Sequence, residues 1–137
     1  MSQLDLVRAT YAAFARGDLP SVLAAFAPDV RWRTPATLPW SRGDYFGHAG
    51  MLDYFDSFAR HLDGPAIVPR ELLEAGDRVI ALGVEQGRAR STGVAFSAEF
   101  AHIWTLRDGR AVEMQGIIDT AVVRRAFGLD AMKAADA

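Results

Sequence analysis

Three side chains in the sequence could move protons without a metal or a cofactor: His102, Asp119 and Tyr11. Phe100, His102, Trp104 and Leu106 share one face of an extended segment by the two-residue period of a strand. An imidazole among such neighbours is stripped of water, which favours its neutral form and suits it to give or take a proton near neutral pH. The same setting suits a core histidine bonded to a backbone carbonyl, and spacing alone does not choose between them. Asp119 follows the apolar run Gly116-Ile117-Ile118. Its carboxylate reads as a proton acceptor at the mouth of a hollow, or as the N-cap of a helix starting at Thr120. Tyr11 lies on the apolar face of the first helix, where a buried phenol needs a partner, either within the core or on a ligand carbonyl.

No other signature of a known reaction is present: no Gly-x-Ser-x-Gly, phosphate loop, dinucleotide fingerprint or paired-histidine zinc motif. His48, His61 and His102 fall in different elements, so no metal set is expected. Zero cysteines exclude disulfides, thiolate ligands and a cysteine nucleophile. Any chemistry would rest on isolated acid–base groups in an apolar pocket, with no cofactor. Trp32, Trp40, Tyr45 and Trp104 read as packing or as walls for a flat ligand, with Thr34 and Phe55 as further candidate ligand contacts. Glu85, Glu99, Glu113 and Gln115 alternate with apolar residues and read as a solvated or subunit-facing sheet surface.

The elements that must position these groups follow from periodicity. Leu4, Val7, Tyr11 and Phe14 mark a helix over Leu4–Ala15, with Gly17 as its stop. Asp18 reads as the N-cap of a second helix, Leu19–Ala27, ended by Pro28. Val30–Arg33 reads as a short strand, Thr34–Phe46 as a loop rich in aromatic residues, and Gly47–Leu62 as a third helix. After Gly64-Pro65 the period becomes extended, giving strands Ile67–Ala75, Arg78–Ala89, Val94–Leu106 and Arg110–Ile118. Asp108-Gly109 marks the last hairpin, and Gly83, Gly87 and Gly116 are candidate bulge sites. Helices segregated from an antiparallel meander give an α+β fold, a curved sheet wrapped by three N-terminal helices into a cone with a central pocket.

Composition sets the outer bounds. With 137 residues, half of them hydrophobic, the chain suits a single domain over 1–130 with a frayed tail at 131–137. A net charge of −2 with interspersed signs leaves no electrostatic footprint for nucleic acid. No apolar run approaches the ~20 residues that span a bilayer, and Met1–Asp5 lacks the pattern of a signal peptide. With the absence of cysteine, this points to a cytoplasmic protein.

Tyr11–Leu19 (Tyr-Ala-Ala-Phe-Ala-Arg-Gly-Asp-Leu) and Phe26–Val30 (Phe-Ala-Pro-Asp-Val), with Ala101–Arg110 and Ile118-Asp119-Thr120, resemble the SnoaL-like and ketosteroid-isomerase-like superfamily. The resemblance covers nearly the whole chain and implies the cone fold of nuclear-transport-factor-two-like proteins. It also implies roles. Tyr11 would match the tyrosine that donates to a developing oxyanion, and His102 the protonated aspartic acid beside it, role assignments that the well-known isomerase supplies. That enzyme's base corresponds to Thr34, which cannot act as one, so steroid isomerisation by the familiar route is disfavoured. The polyketide cyclase branch fits better, with Asp119 taking a proton α to a carbonyl while His102 and Tyr11 stabilise the enolate. Epoxide hydrolysis ranks third, for want of a match near Glu99–Ala101 to its Arg-flanked aspartates. The resemblance thus implies acid–base catalysis on a small hydrophobic carbonyl compound, with a non-catalytic ligand-binding or structural module of the same fold as the alternative. It also implies a homodimer formed through the sheet.

Overall fold

The computed structural model describes residues 1–130; the expected frayed tail at 131–137 lies outside them. Helices α1 (Gln3–Ala15) and α2 (Leu19–Ala24) lead into strands β1 (Phe26–Arg33) and β2 (Asp44–Phe46), followed by α3 (Gly47–His61). Four long strands come next, β3 (Leu62–Ala75), β4 (Arg78–Ala89), β5 (Ala95–Arg107) and β6 (Arg110–Ile118), and then α4 (Thr120–Ala126). Side chains start the first two helices. Ser2 Oγ accepts from the Asp5 N–H and Asp18 from the Ser21 N–H, each satisfying an orphan donor of the first turn.

The six strands form one sheet in the order β2-β1-β6-β5-β4-β3. All neighbours are antiparallel except β1 and β6. The expected meander therefore becomes a mixed sheet, because β1 enters from the helical half of the chain and takes the free edge of β6. The intervening helix and strands supply the long connection that a parallel pair requires. Helices α1, α2 and α3 cover one face. In α3, Met51, Tyr54, Phe55 and Phe58 are buried along a single stripe.

Several boundaries differ from those read in the sequence. The second helix ends at Ala24, and Phe26 pairs with Ala111, so Pro28 lies inside a strand. It is tolerated because β1–β6 pairing is interrupted between Phe26 and Arg31, where no ladder bond needs its missing N–H. The segment read as a loop contains β2, paired to β1. Strand β3 begins at Leu62 and runs through Gly64-Pro65 by an irregularity between Asp63 and Ala66. Gly116 carries no bulge. It sits in regular register beside His102, and the β5–β6 irregularity falls at Thr105/Leu106. Gly83 does mark one, next to the shift between Pro69 and Glu71, and a Cβ there would lie 2.2 Å from the Val68 carbonyl oxygen. Only glycine lets the two backbones approach so closely, and the bulge bends the sheet over the helices.

Candidate active site

His102 projects from the middle of β5 with Ala81 and Gly116 as its cross-strand neighbours. These small residues leave room beside the imidazole, which stacks on Phe100 at 3.9 Å between centroids. Tyr11 reaches it from α1, one turn beyond the buried Val7. The Tyr11 hydroxyl lies 2.7 Å from His102 Nδ1 and accepts from Trp104 Nε1 at 3.0 Å. An indole N–H can only donate, which fixes one end of this chain. If Tyr11 then donates to Nδ1, all three groups are paired and the ring proton sits on Nε2. The other tautomer would leave the phenol hydrogen and the Nε2 lone pair both unpartnered, so we assign the first. Burial holds the His102 pKa down at about 3, so the ring is neutral at pH 7. Burial also raises the Tyr11 phenol well above its usual value; the Trp104 bond opposes the shift and the negative charge of Glu85 adds to it.

Glu85 is the residue that the sequence reading misplaced. It is only 5% exposed and lines the same hollow as Tyr11 and His102. The solvated-surface assignment fails because β4 alternates as Val79, Ala81, Gly83, Glu85, so Glu85 shares the face of Ala81, which is in turn paired with His102. Its register partners are Ile67 on β3 and Ala98 on β5, both apolar. Among the described residues it makes no hydrogen bond and no ion pair. Burial alone pushes its pKa up to about 7. The carboxyl is therefore poised between its two forms near neutral pH. The rows of Glu85 and His102 are four residues apart along the strands, about 13 Å, and both residues line the hollow.

Of the other expected contacts, Trp32, Thr34, Phe55 and Trp104 line the hollow. Trp40 and Tyr45 do not. They form a second layer, Trp40 Nε1 donating to the Tyr54 hydroxyl at 2.9 Å and Tyr45 packing edge-on to Tyr54. Tyr54, absent from the sequence-based set, is the wall residue these two support, and burial raises its phenol strongly. Asp119 lies on the exposed surface at the end of β6, where its Oδ1 accepts from the Val122 N–H at 3.3 Å. It is the N-cap of α4 and not part of the hollow. The indole Nε1 of Trp32 is buried with no acceptor among the described residues. A donor left unsatisfied in this way costs about 1–3 kcal/mol and is available to a ligand that repacks the wall. Among the described residues no three His, Asp or Glu side chains gather to hold a metal ion. No described helix is long and apolar enough to cross a membrane.

A six-stranded cone closed by three helices, with its polar groups facing inward, defines the chain as an NTF2-like protein of the ketosteroid-isomerase-like fold. Residues 7–114 match the SnoaL-like domain, and the chain belongs to that family. An NTF2-like protein of unknown function from Burkholderia pseudomallei is 36% identical, with a TM-score of 0.85 over 92% of this chain and 98% of that one. TerC, crystallised with polyporic acid, is 31% identical with a TM-score of 0.82, over 91% and 97% of the two chains. An uncharacterised protein of Mycobacterium tuberculosis is 31% identical over 113 residues, 82% of this chain and 86% of its own.

Proposed function

We propose that the protein is a cofactor-free acid–base catalyst acting on a small apolar carbonyl compound. Glu85 takes the proton α to the carbonyl, and the Nε2–H of His102 hydrogen-bonds the oxygen on which negative charge develops. Tyr11 and Trp104 act through His102, holding its tautomer and its ring plane. One observation carries the reading: a carboxyl and an imidazole nitrogen, neither with a partner among the described residues, line one aromatic-walled hollow. A general base is most effective when its pKa lies near the working pH, and burial brings Glu85 there. A preformed neutral donor in a desolvated site stabilises an oxyanion without reorganisation. Asp119, engaged as a helix cap outside the hollow, is not given the base role. TerC's crystallisation with polyporic acid supports a small organic ligand for such a cone.

Exchange of α-hydrogens tests the proposal without a known substrate. Cyclic ketones incubated with the protein in D2O should lose their α-proton NMR signals faster than with Glu85→Gln, by about 10²–10⁴-fold. Equal rates would refute the base assignment. The second reading is a ligand-binding module without turnover, favoured by the narrowness of the hollow: the space open to the centres of water-sized spheres is about 50 Å³, a few waters' worth. Tight ligand binding with no exchange in any ketone would favour it.

We also propose a homodimer formed through the outer face of the sheet. Leu73, Ile80 and Ile103 lie in one cross-strand row there and Leu82, Ala101 and Ile117 in the next. Leu73 is 43% exposed and Ile117 49%. An apolar strip of this kind on a sheet face is the chemistry of a subunit contact.

A further inference from the structure

Among the described residues the hollow is lined by one carboxyl, that of Glu85, and by no group of opposite charge. Among the described residues no lysine or arginine lines the space, and the one basic group there, His102, is neutral with its Nδ1 taken by Tyr11. The hollow that Glu85 lines is bounded otherwise largely by aromatic side chains: Tyr11 and Phe14 from α1, Trp32 from β1, Tyr54, Phe55 and Phe58 from α3. Trp32 packs edge-on to Phe55 at 5.3 Å and Phe14 lies 5.4 Å from Phe55, so these wall rings pack against one another. Aromatic quadrupoles present negative potential at their faces and attract a desolvated cation. A buried carboxylate without a partner does so more strongly still, and each repels an anion.

From this geometry we infer that the hollow binds a compact organic ammonium ion, its charge met by Glu85 and its alkyl groups by the surrounding rings. The inference shares with the catalytic reading only the placement of Glu85 in the hollow and does not require turnover. The size is suitable. A trimethylammonium head is round and compact, whereas a polycyclic ligand would have to displace the walls. The ammonium also explains how the carboxylate can be ionised in an apolar chamber, since the ligand brings the opposite charge that the protein does not.

The consequences are specific. Binding drives Glu85 to its ionised form, so a proton leaves the protein when the ligand enters at pH 6–7, and affinity rises with pH up to Glu85's own titration. The other titratable groups facing the hollow stay fixed across that range. Tyr11 from α1 and Tyr54 from α3 are shifted upward by burial, and His102 from β5 is shifted downward, to about 3. Glu85 is therefore the group that the proton release reports.

Choline and its uncharged isostere 3,3-dimethylbutan-1-ol, which differ in one nitrogen for one carbon, provide the test by titration calorimetry at pH 8. Choline should bind the wild-type protein at least about tenfold more tightly than the alcohol. In Glu85→Gln that preference should vanish while the alcohol's affinity is retained. At pH 6.5 the choline enthalpy should vary with the ionisation enthalpy of the buffer, reporting release of a proton. This readout needs no variant and stands even if Glu85→Gln does not fold. Equal affinity for the two compounds, binding of neither, a preference that survives in Glu85→Gln, or no proton release would overturn the inference. Any of these outcomes would leave the ketone-exchange test of the catalytic reading untouched, and loss of exchange would leave this one untouched.

Discussion

At the scale of single residues, Glu85 and His102 are mirror images in their protonation, and this makes folding stability informative. Glu85 has its folded pKa raised from 4.5 to about 7. The contribution of its protonated form is fully present below the unfolded value and is lost as pH rises through the folded one, up to about 3 kcal/mol in all. His102 has its pKa lowered from 6.5 to about 3, so stability is lost as pH falls through that window. Between about pH 4.5 and 6.5 the two slopes oppose each other. Denaturant unfolding of Glu85→Gln should therefore show stability rising with pH over this interval, and that of His102→Asn should show it falling. Parallel profiles for the two variants would contradict both placements. Asp119→Ala should cost about 1 kcal/mol through the lost cap of α4 and leave ketone α-exchange unchanged. A drop in exchange comparable to that of Glu85→Gln would return the base role to Asp119.

These residues also show what could be read from the sequence. The face shared by Phe100, His102 and Trp104 followed from the two-residue period, and the likeness to the isomerase family drew Tyr11 to the same point. Glu85 was overlooked because a carboxylate among apolar neighbours reads by default as solvent-facing. The signal was present nonetheless: Glu85 is in phase with Val79, Ala81 and Ala89, the most buried residues of its strand. Asp119 carries both readings in the sequence, since an aspartate before a short helix satisfies the capping pattern as well as the catalytic one, and the structure places it as the cap of α4.

At the scale of elements, the site depends on bends more than on strand lengths. Gly83 allows β3 and β4 to close upon each other at the Val68 carbonyl, two residues from Glu85. Gly83→Ala would push a methyl group to 2.2 Å from that oxygen and to 2.9 Å from the Phe100 ring. We expect a loss of about 1–3 kcal/mol in denaturant unfolding, the cost of overpacking, together with a displaced Phe100, which stacks on His102. Wild-type stability in this variant would mean that the strand bend is not constrained there. Helical faces and hairpin signals were legible because they are local. The parallel seating of β1 against β6, the strand β2 within an apparent loop and the continuation of β3 through Pro65 were not, because each is fixed by a partner strand far away in the chain.

At the scale of the whole molecule, two surfaces divide the work. The concave face of the sheet and the three helices enclose the polar groups, and the convex face carries the apolar rows of Leu73-Ile80-Ile103 and Leu82-Ala101-Ile117. Light scattering should give the mass of a dimer at micromolar concentration, and Ile103→Glu should shift it to monomer without loss of the folded circular dichroism signal. A wild-type monomer would remove the dimer from the account. The separation of surfaces also implies that a substitution on the convex face need not open the hollow.

The account depends most on a lone carboxyl group enclosed among rings and held near the midpoint of its titration. Carbon-13 NMR of the protein labelled at glutamate side-chain carboxyls, with Glu85 assigned by its absence in Glu85→Gln, measures this directly. One resonance should titrate at about 7. A Glu85 resonance titrating in the ordinary range of solvent-exposed glutamates, about 4–4.5, would contradict it.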